Sequence, residues 1–193
     1  KLVVIDPRRT ETAELADQHH FITPGSDVFL LLAIVNTLFA EGKVSLGHLA
    51  NSVEGLDDIQ AAVLPFTPEA AAVKTGIDAA TIKQIALDLA AAKSGVCYGR
   101  MGVSVQAYGG LNQWMIQIIN IMSNSLDVPG GMMFTTPAFD SVAGSGKGGF
   151  GRVHSRKRGL PEFDRELPAS ALAEEITTPG EGQIKVLFTG AGN

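Results

Sequence analysis

One cysteine, Cys97, stands in a chain of 193 residues. It excludes an internal disulfide, and it cannot by itself build a zinc or iron–sulfur site. A solitary thiol favours a reducing compartment, so a cytoplasmic location is expected, with the periplasm left open. Long apolar runs are lacking too. The longest, "VFLLLAIVNTLFA" from Val28 to Ala40, is interrupted by Asn36 and Thr37. It is shorter than the ~20 residues that span a bilayer, so it reads as a buried helix and no membrane contact is predicted. No targeting segment is recognisable. Positive charge is scarce: 15 Lys and Arg against 20 Asp and Glu leave a net charge of −5. That argues against nucleic acid as a partner, although a few arginines can still cradle a phosphate.

Catalytic and metal constellations are missing as well. No Ser/His/Asp set or carboxylate pair emerges. His19 and His20 are adjacent, so in a strand they point to opposite faces and make a poor metal pair. His48 and His154 have no ligand-spaced companions. Cys97 lies in a predicted strand and reads as a small core residue. The string Gly144-Ser145-Gly146-Lys147-Gly148-Gly149 has the G-x-G-x-x-G spacing, yet no strand precedes it and no helix follows. The cluster Arg152, His154, Arg156, Lys157 and Arg158 lacks interleaved aromatics and reads as a solvated loop.

What remains is the pattern of an α/β domain, 45% hydrophobic. Residues 2–5 form a β-branched run stopped by "DPRRT", a short strand. Thr10 to Ala16 follow as a helix with Thr10 at its N-cap. Phe21-Ile22 suggest a small second strand, and a helix from Asp27 to Ala40 is capped by Ser26 or Asp27 and ended by Gly42. Short helices fill residues 45–75. Asp78 caps an amphipathic helix with Ile82, Ile85, Ala86 and Leu89 on one face. A strand is predicted at Val96–Tyr98, then a turn and a helix over 111–122 with Trp114, Ile118, Ile121 and Met122 as its apolar face. Residues 137–161 are read as a flexible glycine-rich basic loop. A helix over 170–176 and a strand over 184–188 complete the pattern. Strands separated by helices predict a parallel sheet flanked by helices, with residues 1–193 as one unit.

In such sheets ligands sit beyond the carboxyl ends of the strands. Three junctions qualify: Asp6-Pro7-Arg8-Arg9, Gly99-Arg100-Met101-Gly102 and Gly190-Ala191-Gly192-Asn193. Asp6 can accept from ribose hydroxyls while Arg8 or Arg9 forks onto a diphosphate; equally, Asp6 and Thr10 can simply cap a helix beside solvated arginines. Pro24-Gly25-Ser26-Asp27 is a further candidate. Asp27 is either a helix cap or an acceptor for two guanine N–H groups, a face adenine does not present.

The blocks "VVIDPRRTETAELADQHHFITPGSDVFLLLAIVNTL", "YGRMGVSVQAYGGLNQWMIQIINIMSNSLDVPGGMMF" and "LPASALAEEITTPGEGQIKVLFTGAGN" resemble, in order and spacing, a central segment of the molybdopterin oxidoreductases. That family holds formate dehydrogenases, nitrate reductases and dimethyl sulfoxide reductase. The resemblance implies a fragment of the nucleotide-binding domains of a larger, formate dehydrogenase-like two-electron enzyme. The implied cofactor is bis(molybdopterin guanine dinucleotide) with molybdenum or tungsten. On this resemblance Ile5, Asp6, Pro7, Arg8 and Arg9 line a guanosine diphosphate arm, and Gly25, Ser26 and Asp27 hold the guanine. Met101 and Gln106 form a further cofactor-contacting turn, and Asn193 reaches the cofactor from the last strand. Iron–sulfur cysteines and the metal ligand are expected upstream of Lys1, so no catalytic or metal-binding residue is assigned here and the fragment alone is expected to be inactive. Partners implied are the remaining domains of the parent chain and electron-transfer subunits, with self-association covering exposed apolar surface. Where the family often has glycine, this chain has Asn124, a residue that tolerates a left-handed conformation. Two other readings stay open. One is an adenine dinucleotide (NAD or FAD) domain using Gly190-x-Gly192; the other is a structural domain in which Asp6 and Asp27 only cap helices.

Overall fold

A computed structural model describes residues 1–138, 150–163 and 166–190. The chain divides into two compact units, Lys1–Phe134 and Thr135–Asn193, where the sequence reading expects one.

The first unit is mostly helical. Strand β1 (Val3–Ile5) pairs in parallel with β2 (Gln18–His20), Val3 opposite Gln18 and Ile5 opposite His20. Helix α1 (Glu11–Leu15) makes the crossover between them, and the Thr10 hydroxyl accepts the Ala13 N–H at 3.2 Å as its N-cap. Parallel pairing puts the carboxyl ends of both strands side by side, so the 6–9 turn and the turn after His20 leave one edge of the sheet.

Helix α2 (Asp27–Ala40) is apolar on nearly every face, and most of its fourteen residues are buried. Such a helix must be surrounded. It packs against α3 (Leu56–Val63), α4 (Pro68–Thr75), α5 (Ala79–Ala91) and α7 (Gly109–Met122). Its two polar interruptions are satisfied internally. Asn36 donates to the Val63 carbonyl at 3.0 Å at the end of α3, and Thr37 donates to the Ala33 carbonyl at 2.7 Å. Asp78 caps α5 through the Thr81 N–H at 2.9 Å, with Ile82 and Ala86 fully buried on the predicted face.

Three sequence expectations are corrected. The core face of α7 is Met115, Ile118, Ile119 and Met122, the i, i+3, i+4, i+7 set, while Trp114 lies about a quarter-turn off it and is 54% exposed. Val96–Tyr98 pairs with no strand among the described residues; a side chain takes the place of the neighbour, as described below. The turn after it contains a four-residue helix, α6 (Met101–Ser104). Asn124 does adopt the left-handed region, at φ 53°.

In the second unit, strand β3 (Phe150–His154) pairs antiparallel with β4 (Pro161–Phe163). Residues 150–161 are therefore a hairpin arm and its turn rather than an unstructured loop. The Ser155 N–H donates to the Leu160 carbonyl at 2.8 Å, and Gly159 takes φ 64° within the turn. Residues 139–149, including the G-x-G-x-x-G string, lie outside the described residues. The arginines are not simply solvated. Arg156 reaches Glu175 at 3.1 Å and the Thr178 carbonyl at 2.7 Å, and Arg158 reaches Glu174 at 2.5 Å. Both clamp the turn onto α8 (Leu172–Thr177), Arg156 reaching its carboxyl end, where cations are favoured, and Arg158 its first turn. Residues 184–188 have β-rich sequence but no strand partner among the described residues, and Val186, Leu187 and Phe188 are exposed. The described residues are thus mixed α/β with helices dominant and small two-stranded sheets, one of them parallel. No helix among them is long and apolar enough to cross a membrane.

Candidate functional site

Ile5 to Arg9 and Gly25 to Asp27 flank the end of β1 and the start of α2, while Met101 and Gln106 lie in and just after α6. Ile5 closes β1 and packs on the core. Asp6 then turns the chain: its carboxylate accepts the Arg8 N–H at 2.7 Å, an Asx turn, and its N–H donates to the His20 carbonyl at 3.2 Å. The Asp6 carbonyl meets His19 Nε2 at 3.1 Å, and the His19 ring stands edge-on to Phe21 at 4.5 Å. Pro7, Arg8 and Arg9 are exposed, and neither arginine enters an ion pair among the described residues. That leaves two guanidinium forks at the sheet edge free for an anion.

After β2 the chain makes the turn Thr23-Pro24-Gly25-Ser26, closed by the Ser26 N–H on the Thr23 carbonyl at 3.1 Å. Proline followed by a glycine at φ 83° is the pattern of a type II turn. Nothing lies within 4 Å of where a Cβ on Gly25 would project, so the space above it is open. The Ser26 hydroxyl donates back to the Thr23 carbonyl at 2.6 Å and makes no cap bond to α2. Asp27 is the first residue of the helix, and its carboxylate accepts from Gln106 Nε2 at 2.7 Å. Neither Asp6 nor Asp27 is a side-chain helix cap, contrary to the capping roles that the sequence allowed.

Gln106 and Met101 come from the segment between Val96 and α7. Met101 opens α6 and is 66% exposed. The segment has no strand neighbour among the described residues; carboxamides from α7 hold it instead. Asn120 accepts the Cys97 N–H at 2.9 Å and donates to the Cys97 carbonyl at 2.8 Å, a one-residue copy of a β-ladder rung. Gln113 donates to the Gly99 carbonyl at 3.2 Å and to Ser104 at 2.8 Å, and Asn112 to the Val103 carbonyl at 2.9 Å. Asn112 and Asn120 are fully buried. These positioning residues were missed in the sequence, although carboxamides at 112, 113 and 120 in a largely apolar helix are a readable signal. Cys97 is half-buried and packs against the core, and burial pushes its thiol up to about 12. Burial, followed by the neighbouring His19, lowers the His20 pKa from its ordinary value.

Asn193 and the second glycine of Gly190-x-Gly192 lie outside the described residues. No cluster of three potential metal ligands occurs among the described residues. Two cavities, about 250 Å³ beside Arg152 and Glu162 and about 160 Å³ among Ser45, Lys93, Ser94 and Ser125, involve none of the candidate residues.

No family model matches the chain. Individual proteins do. It is 32% identical over 130 residues to the F420-dependent formate dehydrogenase 2 subunit alpha of Methanococcus maripaludis, covering 67% of this chain and 19% of that protein. It is 36% identical over 111 residues to formate dehydrogenase H of Escherichia coli, covering 58% of this chain and 15% of that one. Among solved structures, acetylene hydratase from Pelobacter acetylenicus matches 65% of this chain and 17% of its own, with a TM-score of 0.61 at 26% identity. The chain thus spans a fifth or less of the length of the relatives it matches. The two formate dehydrogenases are molybdopterin oxidoreductases, and this chain belongs to that family.

Proposed function

We propose that this chain is the nucleotide-holding part of a molybdenum-dependent, formate dehydrogenase-like oxidoreductase. In this reading Ile5–Arg9 line one guanosine diphosphate arm of bis(molybdopterin guanine dinucleotide) and Gly25–Asp27 hold a guanine. The observation that carries it is Asp27: a carboxylate acceptor at the start of α2, fixed by Gln106 at 2.7 Å, beside a glycine with open space above it. A carboxylate offers acceptors only, which matches the adjacent N1 and N2 hydrogens of guanine. The donor set also fits the diphosphate, through the exposed guanidinium groups of Arg8 and Arg9. When bound, the group supplies two-electron redox chemistry at the metal, with the pterin dithiolenes coupling it to the electron path. The residues of this chain supply binding and orientation; anchoring a nucleotide arm far from the metal fixes the rest of the cofactor. Its partners in this reading are the other domains of the parent enzyme and electron-transfer subunits. No observation favours an adenine dinucleotide.

The test is equilibrium binding of GDP and ADP to the chain and to Asp27→Asn. GDP should bind about 10- to 100-fold tighter than ADP, the worth of hydrogen bonds to a charged group, and Asp27→Asn should erase that preference. Equal binding of GDP and ADP to the wild-type chain, or an unchanged ratio in the variant, refutes the reading.

A further inference from the structure

Gln106 can also be assigned a role from its hydrogen bonds alone. Its Nε2 carries two hydrogens. One goes to Asp27 at 2.7 Å and the other to the Gly102 carbonyl at 2.6 Å, so both donors are spent within the protein. The amide cannot be reversed, because its oxygen would then face a carboxylate and a carbonyl at those distances. Its Oε1 faces Asn112 Nδ2 at 3.5 Å, and Asn112 is itself pinned at 2.9 Å to the Val103 carbonyl in the interior. A buried carboxamide on α7 thus steadies Gln106, and Gln106 steadies Asp27, 79 residues away in sequence.

We infer that Gln106 is a positioning residue: it aims the Asp27 carboxylate at the guanine edge and makes no hydrogen bond of its own to the ligand. The inference rests on the guanine-holding role proposed above and changes what the family resemblance assigns to Gln106, which is direct contact. Gln106 engages one lone pair of Asp27 Oδ2, so each carboxylate oxygen keeps an acceptor position for an incoming N–H. Holding the group in one rotamer before binding removes an ordering cost that would otherwise fall on the bound state. Discrimination, rather than overall affinity, is therefore what Gln106 controls.

The experiment compares GDP with ADP, which presents neither hydrogen on that edge, in the chain and in Gln106→Met, Asp27→Asn and the double variant. The wild-type chain should prefer GDP, and Gln106→Met should cut the GDP/ADP ratio about tenfold with little change in ADP affinity. Added to Asp27→Asn, it should change nothing further. If Gln106→Met weakens GDP and ADP equally, or acts undiminished in the Asp27→Asn background, Gln106 contacts the ligand and the inference is overturned while the guanine site stands. A wild-type chain with no preference for GDP over ADP fails the guanine reading itself and takes this inference with it. Should Gln106→Met not fold, the Gln106 side-chain amide signals in 15N-correlated spectra decide. They should move on Asp27→Asn; unmoved signals overturn the inference.

Discussion

Replacing Asn120 with leucine, a side chain of similar size with no polar atoms, removes the rung that holds Cys97. The wild-type carboxamide takes the Cys97 N–H at 2.9 Å and gives a hydrogen to the Cys97 carbonyl at 2.8 Å from a fully buried position. Two lost bonds of about 1 kcal/mol each set the lower bound. Leaving buried partners unsatisfied raises the cost, so the total is about 2–4 kcal/mol. For a chain of this length each kcal/mol moves the midpoint about 2–4 °C, so the first unit should melt roughly 4–16 °C lower. Urea unfolding followed by Trp114 fluorescence reports this unit, and hydrogen exchange at the Cys97 amide reports the rung itself. If Asn120→Leu unfolds within about 0.5 kcal/mol of wild type, or the Cys97 amide stays equally protected, the segment is held by something other than this carboxamide.

Replacing Arg8 and Arg9 together with glutamine should weaken GDP binding and flatten its salt dependence while leaving guanosine unaffected; equal losses for both ligands would remove the arginines from the phosphate site. Cys97, with its thiol raised to about 12, should carry roughly one thiolate in 10⁵ at pH 7 and resist thiol reagents until the chain is unfolded; rapid labelling of the native protein would contradict its burial. In the second unit, burial acts to raise the Glu175 carboxyl, but bonds from the Lys157 and Arg156 groups outweigh it and hold the pKa below the ordinary value. A depressed carboxyl stabilises above its unfolded pKa and loses that contribution as pH falls through its folded one, so this unit should weaken below about pH 4.5. Glu175→Gln should flatten that acid limb in circular dichroism, and an unchanged limb would assign it elsewhere. Gly25→Ala should cost about 1 kcal/mol from its positive φ with no steric clash, read as a shift in the urea midpoint; a loss several times larger would mean the space above Gly25 is not open.

Local signals carried much of the fold. Thr10, Asp78 and the apolar run from Val28 placed α1, α5 and α2 correctly because caps and periodicity act within a turn or two of the chain. The strand reading at 96–98 failed because β-branched sequence reports a preference for extended backbone, whereas pairing depends on a partner, here a side chain 23 residues away. Helix α6 was invisible: four residues containing Gly102 and Val103 have neither propensity nor periodicity. The hairpin at 150–163 was hidden under glycine and basic residues, whose charges are matched by Glu162, Glu174 and Glu175 beyond any local window. At the site, residue types pointed to Asp6 and Asp27, but local spacing allowed a capping role that the structure does not use. The tie from Asp27 to Gln106 spans 79 residues and leaves no trace in either neighbourhood.

The order in which the chain is made gives α2 a particular history. It is apolar on nearly all sides, and the helices that wrap it, α4, α5 and α7, all follow it in sequence. On a ribosome adding about 5–20 residues per second, the roughly 80 residues from the end of α2 to the end of α7 take about 4–16 s to synthesise. Until they emerge, α2 lacks the cover that they supply. The nascent chain is therefore a natural client for holding chaperones, and synthesis without them should yield aggregates nucleated by α2 even though the finished fold conceals it.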